Sequence, residues 1–112
     1  MTLRTDPASR PAVRVLTRAR HVEVDGAAVP LTPLEHDLLV HLLAHPDRVL
    51  TRADLLTEVW GWRTPDHSRT VDTHVARLRA KLGPAGAAIR TLHRVGYLVQ
   101  RDLLDVVVEQ HP

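Results

Sequence analysis

Cysteine is absent from the 112 residues, which excludes a disulfide framework, a thiolate metal site and a cysteine nucleophile. Phenylalanine is absent too, and with one Tyr and two Trp the core must be built from Leu, Val, Ile and Ala. No run approaches the roughly 18 consecutive apolar residues of a membrane span. The N-terminus lacks the apolar centre of a secretory signal, so the chain reads as cytoplasmic. Neither a Gly-x-Ser-x-Gly elbow nor a Gly-rich phosphate loop occurs, and Ser9 and Ser68 lie in other contexts. The residues therefore support no enzyme. The length suits one small domain with a single modest core.

What is present is unevenly distributed. Residues 1–62 carry seven Arg against eight acids. Residues 63–94 carry Arg63, Arg69, Arg77, Arg79, Lys81, Arg90 and Arg94 against only Asp66 and Asp72. Residues 95–112 return to a small acidic excess. A positive zone made by under a third of the chain is the footprint of a polyanion binder.

Residues 1–12, with two Pro and no periodicity, read as a loose arm. From Val13 to Pro30 short β-prone runs follow, and the Asp25-Gly26 pair marks a hairpin, so a small antiparallel sheet is expected. "LTPLEHDLLVHLLAHPD" predicts a helix: Thr32 and Glu35 form a capping box, Pro33 suits the first position, and Leu34, Leu38, Leu39, Leu42 and Leu43 form the buried stripe. Thr51 and Asp54 open a second helix, with Leu55, Leu56, Val59 and Trp60 inward and Gly61 as its stop. Ser68 is expected to cap a third helix, "RTVDTHVARLRAKL", which "GPAGAA" ends. "IRTLHRVGYLV" predicts two strands around a turn, with Gly96 available for a positive φ. Sheet, helix, short extended piece, helix, loop, helix and hairpin make a helix-turn-helix framework with a β wing, a small α+β domain.

His41 and His45 stand at i, i+4, a spacing that can present two imidazoles to a metal. No His-Glu-x-x-His pattern and no third ligand accompany them, so no metal or cofactor is expected. The third helix is different. Val71, Val75, Leu78 and Leu82 form one apolar stripe, leaving Thr70, Thr73, His74, Arg77 and Lys81 on an outward stripe. Arg can bond guanine O6 and N7, the Thr methyl can meet a thymine methyl, and His and Thr can bond phosphates. A solvated amphipathic helix is the plain alternative, and the basic hairpin downstream weighs against it.

"LTPLEHDLL", "RVLTRADLLTEVWG", "SRTVDTHVARLRAKL" and "IRTLHRVGY", in this order and spacing, resemble the DNA-binding effector domain of OmpR/PhoB-type response regulators over about residues 13–99. The resemblance implies a winged helix-turn-helix: an N-terminal antiparallel sheet, three helices and a C-terminal hairpin wing. It implies a two-component transcription regulator of bacteria, with the third helix in the major groove and the wing at the minor groove. By position, Arg77 matches the family's main base-reading arginine, and Asp72 and Thr73 match positions near base edges. Trp60, Arg69, Thr70, His74, Arg79, Thr91 and Tyr97 match positions that contact the sugar-phosphate backbone, and Lys81 adds charge on the same stripe. Packing is the alternative role for Trp60 and Tyr97, and orienting an Arg for Asp72.

Several departures accompany the resemblance. His93 stands where the family has a minor-groove arginine, and Arg94 where it has a turn glycine; either Arg94 takes over insertion or the contact weakens. Ala76 replaces a frequently basic position. The 12 residues ahead of the sheet are too few for a receiver domain, so an excised fragment or a stand-alone binder is expected, monomeric alone and pairing on tandem half-sites. Residues 100–112 carry Leu103, Leu104 and Val106–Val108, too apolar for a free tail; an added strand, a covered edge or a docking segment would account for them. The alternative function is a protein-interaction module. There the loop with Trp62 and Arg63 resembles the segment that meets RNA polymerase.

Overall fold

In the computed structural model the described residues are 10–62 and 69–109. Strands β1 (Ala12–Leu16), β2 (His21–Val24) and β3 (Ala27–Ala28) form an antiparallel meander. Val13, Val15, Val22 and Val24 alternate onto its inner face, as a half-buried sheet requires. Asp25 and Gly26 both take positive φ, 52° and 83°, which gives the tight turn the twist of its flanking strands.

Helix α1 (Pro33–Ala44) begins at a complete capping box: Thr32 Oγ1 accepts from Glu35 N at 3.2 Å, and Glu35 Oε1 accepts from Thr32 N at 2.9 Å. Its buried set differs from the expected leucine stripe. Leu34 is only half-buried, whereas Glu35 and His36 are 2% and 3% exposed. The apolar positions cover a broad arc, and the helix packs against α3 (Thr70–Leu82) as well as the sheets. Short β4 (Leu50–Thr51) runs into α2 (Arg52–Glu58), where Thr51 and Asp54 form the second capping box. Leu55 and Leu56 are buried, Val59 and Trp60 half-buried, and Gly61 follows at φ 76°.

A 3₁₀ segment (Gly83–Ala88) leads from α3 to the wing, β5 (Ile89–Leu92) and β6 (Gly96–Val99). The second sheet has the order β4-β6-β5, so β6 is paired on both sides. Here the expectation for Gly96 is corrected. Its φ is not positive; it is buried, and a Cβ there would lie 2.1 Å from the Leu50 carbonyl oxygen. Gly96 is required because β4 crosses too close for a side chain. The positive φ of the wing turn, 65°, falls on Arg94, the third residue of a turn closed by Val95 N donating to Leu92 O at 2.9 Å.

The N-terminal sheet is mixed rather than purely antiparallel. Beyond a short 3₁₀ turn (Arg101–Leu103), β7 (Asp105–Glu109) pairs parallel to β1, giving the order β3-β2-β1-β7. Register sets Val106 and Val108 beside Val13 and Val15, and Val107 beside Arg14 on the outer face. Arg101 fastens the return. Its backbone N–H donates to Asp47 Oδ1 at 3.0 Å, and its guanidinium donates to the carbonyls of Leu104 and Val106. Arg14 donates to Glu109 at 2.8 Å across the parallel pair. No helix among the described residues is long and apolar enough to cross a membrane.

Candidate nucleic-acid interface

Val71, Val75, Leu78 and Leu82 seat α3 on the core, so its remaining faces are defined by what they touch. Ser68, the expected cap, lies outside the described residues. Arg69 holds the N-cap position and makes no side-chain capping bond. Arg69, Thr73, Ala76 and Arg77 are exposed on the side opposite the core. Arg77 has no hydrogen bond or ion pair among the described residues.

The two flanks of α3 are engaged. On one flank, Asp72 Oδ1 accepts from Arg52 Nε at 2.7 Å and from the Tyr97 hydroxyl, joining the start of α2, α3 and the wing. Burial opposes the Asp72 charge, but the Tyr97 hydroxyl and the Arg52 guanidinium outweigh it and hold the carboxyl below its ordinary range. Burial, and then Asp72, push the Tyr97 phenol up. Arg52 and Arg79 lie 5.3 and 5.6 Å from the Tyr97 ring centre, as cation–π partners. Arg79 also donates to the Ile89 carbonyl at 2.9 Å and to the Thr91 hydroxyl. Helix and wing are therefore joined through side chains.

On the other flank, Lys81 donates to Glu35 Oε1 at 2.6 Å, and His74 packs edge-on against Trp60 at 5.3 Å with Nδ1 donating to the Thr70 carbonyl at 2.7 Å. Burial raises the Glu35 pKa, but Lys81 and the Thr32 backbone bring it below the usual carboxylate value. The single outward stripe expected from spacing thus divides. Thr73 and Arg77 face solvent, while His74 and Lys81 each have a partner on a neighbouring element or turn.

At the wing tip His93, Arg94 and Val95 are exposed. Trp62 is 36% exposed, and Arg63, its expected companion, lies outside the described residues. His41 and His45 have ring centres 4.6 Å apart, but His45 Nδ1 bonds the His41 carbonyl and His41 meets Glu58. Among the described residues no three side chains are grouped to hold a metal. Arg52 and Glu35 were not singled out as site residues by sequence. Their partners stand 20 and 46 positions away, beyond the reach of local patterns.

A family model described as "Transcriptional regulatory protein, C terminal" matches residues 26–99. The transcriptional regulatory protein SrrA of Staphylococcus aureus is 40% identical over 102 residues, covering 80% of this chain and 42% of that protein. The chain therefore spans under half the length of this curated relative. The crystal structure of the DNA-binding domain of Bacillus subtilis CssR matches with a TM-score of 0.70 at 33% identity, covering 79% of this chain and 99% of that one. The Klebsiella pneumoniae RstA DNA-binding domain, in complex with the RstA box, matches with a TM-score of 0.67 at 30% identity, covering 75% and 86%.

Proposed function

Because the chain belongs to the family of C-terminal DNA-binding domains of transcriptional regulatory proteins, we propose that it reads duplex DNA with α3 in the major groove and the wing at the minor groove. The observation that carries this reading is the exposed Arg77, without a partner among the described residues, beside Thr73 on a helix tied to the wing through Asp72–Tyr97 and Arg79–Thr91. The CssR and RstA domains, the latter solved on a DNA box, support duplex DNA as the ligand. Arg77 bonds a guanine edge and Thr73 a thymine methyl. Arg69, Thr70, His74 and Trp60 meet phosphates at the helix start, and Arg94 with His93 takes the minor groove. Asp72, Tyr97, Arg79 and Thr91 hold the two projections in register, and Lys81 holds α3 to α1. The domain acts as a transcriptional regulator in the cytoplasm, pairing on tandem half-sites. It carries no catalytic chemistry, as befits the family.

The test is selection of bound duplexes from a random pool, then comparison of the recovered duplex with Arg77→Ala. The variant should lose about 1–3 kcal/mol and relax base choice at one position. Equal affinity for selected and random duplexes, unchanged by Arg77→Ala, would sink the reading. A second contact is supported by the exposed Trp62, a fit anchor for RNA polymerase. Trp62→Ala should then lower transcription while leaving duplex affinity intact.

A further inference from the structure

His74 carries a chemical constraint that the phosphate-contact role does not by itself disclose. Its Nδ1 lies 2.7 Å from the Thr70 carbonyl oxygen, and a carbonyl oxygen only accepts, so Nδ1 bears the hydrogen. In a neutral ring Nε2 is then a bare lone pair. A DNA phosphate oxygen is also acceptor-only at neutral pH, so neutral His74 in this setting cannot bond it and repels it.

We propose that His74 makes its phosphate contact only as the imidazolium, so that DNA binding takes up one proton at this ring and tightens as pH falls. The inference rests on the DNA-binding reading above and deepens it. A proton from solvent adds to Nε2, the ring becomes a double donor, and Nε2–H bonds the phosphate while Nδ1–H stays on Thr70. The surroundings leave the phosphate as the anionic partner. From α2 the ring meets Trp60, which is uncharged. Further along α3 stand Arg77 and Lys81, one and two turns on, and the carboxylate that α1 brings to this helix, Glu35, is bonded to Lys81. Among the described residues no carboxylate pairs with the His74 ring.

The experiment measures affinity for the duplex recovered by selection between about pH 8 and pH 5.5, the range over which an imidazole changes charge. It also measures net proton uptake by calorimetry in two buffers of different ionisation enthalpy. Wild-type affinity should rise about tenfold across the range, the size of one charge-assisted hydrogen bond. His74→Gln, whose amide can donate at every pH, should lose most of that slope, and His21→Gln, on the distant sheet, should keep it. Equal slopes in wild type and His74→Gln, or no proton uptake by the wild type on binding, overturns the proposal while leaving the DNA-binding reading standing. Recovery of no bound duplex at any pH overturns that reading itself.

Discussion

The Tyr97 hydroxyl of the wing donates to Oδ1 of Asp72 on α3, the same oxygen that accepts from Arg52 of α2. One carboxylate oxygen thus joins α2, α3 and the hairpin, beside the bonds that Arg79 of α3 makes to Ile89 and Thr91. Asp72→Asn and Tyr97→Phe should each lower stability, and the double variant should lose less than their sum. The coupling should be about 1 kcal/mol, the low end for a bond to a charged group because the carboxylate is partly solvated. Denaturant midpoints of the four proteins measure it; additive losses would mean that the two groups do not cooperate.

The wing contains two positions whose backbone demands oppose each other. Gly96→Ala sets a methyl against the Leu50 carbonyl and should cost about 1–3 kcal/mol or more, because β4 must move off β6. Arg94→Gly relieves a side chain held at φ 65° and should gain about 1 kcal/mol. The same change removes a cation, so on the proposed minor-groove role it should lower the log–log salt slope by about 0.9. Arg94→Ala separates the effects: it should lose the salt slope without gaining the stability. Urea denaturation and salt titration of binding read the two quantities independently.

The local devices were legible because their causes lie within a few residues of one another. Both Thr capping boxes, the Asp25-Gly26 turn and the α3 apolar stripe stand where the sequence indicates them. Spacing could not divide the outward stripe of α3. Whether Lys81 is free or paired depends on Glu35, 46 positions earlier, being buried beside it. Gly96 stands out in the sequence, but close approach of Leu50 rather than a positive φ requires it. A glycine needed for positive φ and one needed for close approach look alike until the facing strand is known. The parallel pairing of β7 with β1 joins the two ends of the domain, and no local signal encodes such a register.

Acid should destabilise the fold in two stages, each with its own residues. Burial, and then the Arg20 charge, lower the His36 pKa, so the unfolded chain takes up this proton first as pH falls. Stability supplied by neutral His36 is complete above about pH 6.5 and declines below it, by up to about 1.4 kcal/mol per pH unit for one proton. Glu35 and Asp72, whose carboxyls are held below their ordinary range, act at lower pH. Their contribution is complete above about pH 4 and is lost as pH falls through their folded values. His36→Leu should flatten the first stage and leave the second unchanged. Lys81→Met should do the reverse: it strips the buried Glu35 of its cation, raises the carboxyl's folded pKa toward its unfolded value, and so shrinks the acid loss that Glu35 adds to the second stage while leaving the first unchanged. Urea midpoints between about pH 7 and pH 3 resolve the stages, and a first stage that survives His36→Leu would assign it to another group.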